Sequence, residues 1–124
     1  MPSGGPSRIR LGIDLIEFKK AKDFYKHHQN RLASFFSEKE ISYIGHGAEA
    51  YRKLAGLLAA KEAAFKASGK TWMGPEGFAA IRLTPPTGKK NFFSVKKSSQ
   101  SKEALKIFLT QQHKKYVVAQ CVGI

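Results

Sequence analysis

An alanine-rich helix in the middle of the chain limits the fold more than any other part of the sequence. Residues 50–68 are good helix formers throughout, and Gly69 predicts the point at which the helix ends. Three core-type side chains recur at helical spacing and form an apolar stripe: Leu54, Leu58 and Phe65. Because such a stripe packs against other elements, the sequence predicts one long central helix with the rest of the chain around it.

The segments around this helix predict an α+β domain. Residues 9–17 form an apolar run typical of a buried strand, and residues 18–36 are helical with a break near residues 28–30. Residues 37–40 (SEKE) have the capping-box pattern that begins a short helix. Four short strands are predicted in the last third of the chain: residues 78–83, 91–96, 105–111 and 116–122. This order is typical of a helical layer packed on an antiparallel sheet.

The composition limits the chain to a few classes of protein. Its 124 residues suit a single domain, predicted over residues 9–124 after a flexible leader at residues 1–8. No apolar run approaches the roughly 20 residues that span a bilayer. The single cysteine, Cys121, excludes an internal disulfide and a multi-cysteine metal cluster. Together with the lack of a signal peptide, it predicts a cytoplasmic protein.

The chain carries a large excess of positive charge. It has 22 Lys and Arg residues against nine Asp and Glu residues, which gives a formal net charge of +13. Such a field attracts phosphate-rich or acidic partners. Nucleic acid, coenzymes with several phosphates and acidic proteins are all compatible with it, so the charge defines the sign of the partner and not its class.

Two acidic residues stand where core-type residues are expected. Asp14 interrupts the first strand, and Glu62 lies on the apolar stripe of the long helix. A buried carboxylate must be paired, hydrogen-bonded or bound to a cation, because its desolvation alone is too costly. Asp14 could cap the following helix or pair with a lysine, and Glu62 could pair with Lys66 four residues later. Alternatively, both acids could hold one Mg²⁺ ion together with water and substrate phosphates.

Two lysines flank Glu62 on the same helix. Lys61 and Lys66 fall to either side of the apolar stripe, where they could contact the phosphates of a metal-bound ligand. A solvated helix face is the structural alternative for both lysines. The sequence has no Walker A loop, dinucleotide fingerprint or Cys/His cluster, so the common nucleotide-binding folds are not supported.

Four short motifs together resemble the motifs of one known enzyme family. Residues 12–17 (GIDLIE) resemble a GIDIVE strand, and residues 54–67 (LAGLLAAKEAAFKA) resemble an LAGRFAAKEAxxKA helix. Residues 36–40 (FSEKE) are similar to an F-T-x-x-E motif, and residues 116–120 (YVVAQ) are similar to a closing YAVAQ strand. In this order, over residues 9–122, the motifs resemble those of the holo-[acyl-carrier-protein] synthases, the small 4'-phosphopantetheinyl transferases.

The resemblance implies the fold of that family and its reaction. A serine of apo acyl carrier protein attacks the β-phosphate of coenzyme A, the 4'-phosphopantetheine arm is transferred, and adenosine 3',5'-bisphosphate leaves. By resemblance, Asp14 and Glu62 are catalytic residues that hold Mg²⁺ against the pyrophosphate. Lys61 is a third catalytic residue near the reacting phosphates. The proton acceptor is Glu62 or a metal-bound water.

The same resemblance implies further binding residues and an assembly. Coenzyme A is expected to contact four residues: Lys61, Lys66, Gly69 and His113. The acidic acyl carrier protein is expected to dock on three lysines at the start of the first helix: Lys19, Lys20 and Lys22. Because the family forms trimers with active sites between neighbouring subunits, a homotrimer is expected. The implied role is in fatty acid biosynthesis.

Three departures from the family motifs concern the coenzyme. Leu57 stands where the family commonly has Arg, which removes one expected phosphate contact. Residues 69–71 (GKT) replace a GTG sequence beside the coenzyme. Gln112 falls at the place of a histidine, and His113 lies one position late. Leu57 and Gln112 support an alternative, in which the chain is a diverged family member that binds coenzyme A without activity.

A nucleic-acid-binding module is the other alternative. The positive charge and the lysine pairs at residues 96–97 and 114–115 favour it. The sequence lacks the interleaved exposed aromatic residues of a stacking platform. Buried acids would also repel the phosphates in the absence of a metal. A nucleic acid partner is therefore not expected. A membrane is not expected either, because no apolar run is long enough to span a bilayer.

Overall fold

The computed structural model describes residues 10–69, 74, 77–96, 103–110 and 114–123. The elements follow in this order: β1 (Arg10–Glu17), α1 (Phe18–His28), a 3₁₀ segment (Gln29–Ser34), α2 (Glu38–Ile44), α3 (Ala50–Ala67), α4 (Gly77–Ala80), β2 (Phe93–Lys96), β3 (Glu103–Thr110) and β4 (Tyr116–Gly123). The predicted leader lies outside the described residues.

The four strands form an antiparallel sheet in the order β1-β4-β3-β2. β1 lies at one edge and pairs along its whole length with β4, from Arg10 opposite Gly123 to Glu17 opposite Tyr116. One face of the sheet packs on α3, which contacts β1, β3 and β4. The predicted α+β architecture, with a long central helix on an antiparallel sheet, is confirmed.

Most of α3 is buried, including residues outside the predicted apolar stripe. Leu54, Leu58 and Phe65 lie in the core as expected, and the alanines on the other sides of the helix are buried as well. The helix ends at Ala67, and Gly69 has a φ of 78°, in the left-handed region that a helix stop favours. No helix in the described part of the chain is long and apolar enough to cross a membrane.

The first strand lies in direct contact with the C-terminal half of α3. A Cβ atom on Gly12 would stand 2.0 Å from the carbonyl oxygen of Ala63 and 2.8 Å from the amide nitrogen of Ala67. Since both atoms belong to the backbone, neither could give way to a side chain at this position. Glycine on the strand and alanines on the helix thus allow the two backbones to touch.

A buried carboxylate connects α2 with the segment that follows α4. Glu40 completes the predicted capping box, because its Oε1 accepts a hydrogen bond from the amide of Ser37 at 2.8 Å and its own amide donates to Ser37 Oγ at 3.3 Å. Its Oε2 accepts from the amide of Leu83 at 2.7 Å. Lys61 Nζ lies 2.9 Å from Oε1 and neutralises the charge. Both charged side chains are almost fully buried.

The prediction of a strand at residues 78–83 is wrong, because the first residues of this segment belong to the short helix α4. The buried ion pair gives the physical reason. Lys61 donates a hydrogen bond to the carbonyl oxygen of Phe78, and Glu40 accepts one from the amide of Leu83. Side chains therefore satisfy backbone groups that a strand would pair with a neighbouring strand.

Removing one partner of this ion pair should destabilise the fold strongly. We expect Lys61→Met to lower the free energy of unfolding by about 3–5 kcal/mol, because it leaves the carboxylate of Glu40 buried without a counter-charge. The double variant Lys61→Met/Glu40→Gln should recover much of this loss, since the glutamine is neutral. Urea denaturation of both variants measures the difference.

The matched control is Lys26→Met, which removes an exposed lysine from α1 and should change the stability by less than about 0.5 kcal/mol. A double variant no more stable than Lys61→Met alone would contradict the role assigned to the uncompensated charge.

Candidate active site

The structure brings the two predicted acids together where β1 crosses α3. Gly12 contacts the backbone of α3, and Asp14 lies two residues later on the same face of the strand. The Asp14 side chain is only 15% exposed. Its Oδ2 is buried and has no hydrogen-bond partner among the described residues. The carboxyl group of Glu62, on α3, is its neighbour.

The proximity of two acids changes the ionisation of Glu62. Its pKa is raised to about 8, first because burial desolvates the carboxylate, and second because the neighbouring carboxylate of Asp14 favours the protonated form of Glu62. The positive charges of Lys20 and Lys66 act in the opposite direction but do not overcome these effects. Glu62 therefore keeps its proton near neutral pH unless a cation stabilises the ionised form.

Lys66 provides a positive charge at the solvent side of the pair. Its Nζ lies 2.6 Å from Asp14 Oδ1 and 3.4 Å from the carbonyl oxygen of Ile13. The side chain is 52% exposed. One structural alternative considered for the acids, the pairing of Asp14 with a lysine, is therefore observed. The hydrogen bond of Lys66 goes from α3 to Asp14 on β1 and not to Glu62 on its own helix.

The pair of carboxylates fits a Mg²⁺ ion. Within the described residues, Asp14 offers an oxygen without a hydrogen-bond partner, and Glu62 offers a carboxyl group whose pKa stays raised despite the charges of Lys20 and Lys66. No group of three or more His, Cys, Asp or Glu side chains suited to a metal exists in the described ranges. Mg²⁺ commonly takes one or two protein carboxylates and completes its shell with water and substrate phosphates. Asp14 and Glu62 would then be the two protein ligands.

The placement of Lys61 corrects the expectation that it contacts the reacting phosphates. Its side chain is 1% exposed, and its ammonium faces α2 and α4, where it binds Glu40 and the carbonyl oxygens of Phe35 and Phe78. Burial lowers the pKa of Lys61, while the charge of Glu40 opposes this shift. Because its hydrogen-bond donors are used inside the core, Lys61 stabilises the packing of α3. Lys66, and not Lys61, is therefore the lysine beside the two carboxyl groups.

The sequence patterns did not indicate Glu40 as the partner of Lys61. The capping-box pattern predicted that one carboxylate oxygen would bind the amide of Ser37, and this contact is present. A second signal was available, because a capping glutamate has another oxygen to satisfy and Lys61 interrupts an alanine-rich helix. The distance of 21 positions between the two residues hid their contact from any local pattern.

The remaining predicted site residues have different surroundings. Three exposed lysines lie on the first turns of α1: Lys19, Lys20 and Lys22. Among them, Lys20 acts electrostatically on Glu62, and Lys22 Nζ lies 5.8 Å from the centre of the Tyr51 ring. Gly69 is exposed just beyond the end of α3. Gln112 and His113 lie outside the described residues.

Leu57, the departure from the family helix motif, is a core residue. Its side chain is 0% exposed and belongs to the hydrophobic cluster that α3 forms with its neighbours. An arginine in the same orientation would place a charge in an apolar environment. The leucine therefore fits the packing of the described chain.

The family of the chain follows from a comparison with known protein families. Residues 10–121 match the family model of the 4'-phosphopantetheinyl transferase superfamily. The chain belongs to this superfamily. The match covers all four motifs, and it confirms the resemblance drawn from them.

Curated relatives of this superfamily member include clostridial holo-[acyl-carrier-protein] synthases. The protein of Clostridium perfringens is 36% identical over 61 residues, which are 49% of this chain and 46% of the relative. The protein of Clostridium tetani is 34% identical over 76 residues, which are 61% of this chain and 56% of the relative. The chain thus spans about half the length of the curated relatives that it matches.

Solved structures of holo-[acyl-carrier-protein] synthases share the fold. The Helicobacter pylori protein in complex with coenzyme A has a TM-score of 0.71 at 21% identity, and the comparison covers 92% of this chain and 99% of that one. The Bacillus anthracis protein in complex with CoA (3',5'-ADP) has a TM-score of 0.68 at 23% identity over 92% and 94% of the two chains. These likenesses confirm the predicted 4'-phosphopantetheinyl transferase fold.

The raised pKa of Glu62 should make stability depend on pH. The folded chain binds the Glu62 proton more tightly than the unfolded chain, in which the pKa is 4.5. The stabilisation by this proton is therefore complete below about pH 4.5 and is lost as the pH rises through about 8. Urea denaturation in EDTA should show a free energy of unfolding that falls over this range, and Glu62→Gln should flatten the decline.

The control for this measurement is Glu38→Gln, which neutralises an exposed carboxylate on α2 and should leave the pH profile unchanged. Parallel profiles for Glu62→Gln and the unsubstituted protein would show that Glu62 is ionised normally.

Proposed function

We propose that the chain is a holo-[acyl-carrier-protein] synthase, which transfers the 4'-phosphopantetheine arm of coenzyme A to a serine of apo acyl carrier protein. The observation that carries the proposal is the pair of facing carboxyl groups, Asp14 and Glu62, in a member of the 4'-phosphopantetheinyl transferase superfamily. The coenzyme complexes of the Helicobacter pylori and Bacillus anthracis proteins support coenzyme A as the donor. The product would serve fatty acid biosynthesis.

The proposed reaction is a displacement at phosphorus. The serine oxygen forms a bond to the β-phosphorus of coenzyme A, the bond from that phosphorus to the bridging oxygen breaks, and adenosine 3',5'-bisphosphate leaves. When bound, Mg²⁺ would neutralise charge on the pyrophosphate and favour the leaving group. Such a transfer needs positioning and charge neutralisation more than covalent chemistry by the protein.

The residues of this chain would divide these tasks. Asp14 and Glu62 would hold the metal, and the half-exposed Lys66 beside them would bind a phosphate oxygen of the coenzyme. The ionised carboxylate of Glu62 would also receive the proton of the serine hydroxyl. Lys61 would act indirectly, because its contacts inside the core hold α3 in place. Gly69 and His113 remain proposed contacts of the coenzyme.

The carrier protein would dock beside this site. Lys19, Lys20 and Lys22 are exposed on α1, and Lys20 is close enough to act on Glu62. Together with the net charge of +13, this arrangement suits a partner with an acidic surface, such as an acyl carrier protein. The lone cysteine supports a cytoplasmic location for the reaction.

An apolar face of the sheet supports a homotrimer with active sites between subunits. On the face opposite α3, Leu11, Ile13 and Leu15 of β1 are 66%, 61% and 47% exposed, and Phe108 and Val122 extend the same face. An exposed apolar surface of this kind is typical of a surface buried in an assembly. Neighbouring copies of the chain would cover it.

A second candidate function is coenzyme A binding without transfer. The presence of Leu57 where the family commonly has arginine favours it, because the phosphate contact expected from that arginine is missing. Under this alternative the carboxylates and Lys66 would still bind a metal and the pyrophosphate. Only a product assay separates the two candidates.

The transfer assay tests the main proposal. We expect apo acyl carrier protein, coenzyme A and Mg²⁺ to yield carrier protein with the phosphopantetheine mass increment in mass spectrometry. Asp14→Asn and Glu62→Gln should each lower the rate at least about 100-fold, because each removes a charge that holds the metal at the reacting phosphates. Glu38→Gln, the exposed carboxylate on α2, is the control and should keep the rate.

Absence of the increment at high enzyme concentration would refute the transferase and leave the coenzyme-binding alternative. A normal rate in both metal-site variants would refute the assignment of the two carboxylates.

The assembly can be tested on the exposed face of β1. Leu11→Glu should convert the trimer into monomers in size-exclusion chromatography with light scattering, because the charge would have to be buried between subunits. The control is Lys39→Glu, a charge change at an exposed position on α2. A monomeric unsubstituted protein, or a trimer in Leu11→Glu, would contradict the proposed interface.

A further inference from the structure

We propose that Lys66 competes with the divalent cation for Asp14, so that metal binding releases the ammonium of Lys66 toward the phosphates of the coenzyme. This inference rests on the proposed function and adds a second role for Lys66, as a residue that positions itself in response to the metal. The geometry of three side chains carries it: Asp14, Glu62 and Lys66.

The two oxygens of Asp14 lie in different environments. Oδ2 is buried and has no hydrogen-bond partner among the described residues. The other oxygen, Oδ1, is 2.6 Å from Lys66 Nζ, and the side chain as a whole is 15% exposed. A cation held by Oδ2 and by Glu62 would therefore share the carboxylate of Asp14 with the ammonium of Lys66.

A metal ion and the ammonium group cannot share this carboxylate without strong repulsion. Mg²⁺ binds a carboxylate oxygen at about 2.0–2.1 Å, and Lys66 Nζ lies 2.6 Å from Oδ1 of the same group. Two cations on one carboxylate group would lie only a few ångströms apart in a partly desolvated environment. The exchange of one for the other avoids this repulsion.

Lys66 is able to leave, in contrast to Lys61. Half of the Lys66 side chain is exposed, and besides Asp14 its Nζ has only the long contact of 3.4 Å to the carbonyl oxygen of Ile13 in the described part of the chain. Lys61 is held by Glu40 and two backbone carbonyls within the core. The two lysines of the same helix are thus a fixed cation and a movable one.

The exchange would couple metal binding to coenzyme binding. Without a phosphate ligand, Lys66 opposes the metal. When a pyrophosphate binds, the released ammonium gains a new partner, and the metal and the coenzyme each favour the binding of the other. One side chain that belongs to both binding sites would then influence the order in which the metal and the coenzyme bind.

The first test measures Mn²⁺ binding to the full chain by electron paramagnetic resonance, without coenzyme. We expect Lys66→Gln to bind Mn²⁺ about 10- to 100-fold more tightly than the unsubstituted protein, because the competitor is gone. Lys66→Arg should bind as weakly as the unsubstituted protein, since it restores the charge. The control Lys20→Gln removes an exposed charge that acts on Glu62 without a hydrogen bond to Asp14, and should change the affinity less than about five-fold.

Equal effects of Lys66→Gln and Lys20→Gln would reduce the role of Lys66 to general charge and overturn the proposal. An unchanged or weaker affinity in Lys66→Gln, or a lack of Mn²⁺ binding in every variant, would overturn it as well. Circular dichroism of each variant establishes that the fold is kept.

The second test observes Lys66 itself by reductive methylation with formaldehyde and peptide mass spectrometry. Added Mg²⁺ should increase the labelling rate of Lys66 several-fold, because its ammonium leaves Asp14, while the exposed Lys26 on α1 keeps its rate. Protection of Lys66 by Mg²⁺, or an equal rate, would contradict the release. Both tests read metal binding without the transfer reaction, so a failed transfer assay and a failed exchange are separate results.

Discussion

The backbone contact between β1 and α3 is the constraint on which the rest of this molecule depends. A glycine on the strand and alanines on the helix let the two elements approach until no side chain fits between them at Gly12. Alternation along the strand then directs Asp14 toward the same helix two residues later. The carboxyl groups of Asp14 and Glu62 are therefore neighbours at this contact.

This contact brings two carboxyl groups that repel each other when ionised to one partly buried place, which favours a cation there. Two carboxyl groups at a partly buried interface cannot both be ionised without a cation, and the raised pKa of Glu62 expresses that conflict. Lys66 compensates the charge of Asp14 from the solvent side, and Oδ2 has no hydrogen-bond partner among the residues that the structure describes. A divalent cation would resolve the conflict completely, since its charge equals that of the two ionised carboxylates.

The two lysines next to Glu62 differ in what they can do because they leave α3 in different directions. Lys61 points into the core, where Glu40 and two carbonyl groups hold it, and one of these carbonyls belongs to Phe78, in the segment predicted as a strand. Lys66 emerges at the edge of the sheet, where its length and exposure allow it to move. A difference of five positions in one helix thus separates a structural cation from one available for ligands.

The amino-acid sequence by itself determined the long helix, the capping box at Glu40 and the family, because helix propensity, caps and motifs are local signals. It also singled out Asp14 and Glu62 as acids in apolar surroundings. Only the tertiary structure decided that Lys61 binds Glu40 and that Lys66 binds Asp14. These pairs join residues 21 and 52 positions apart, and such contacts depend on how close the backbones pack, which no local pattern records.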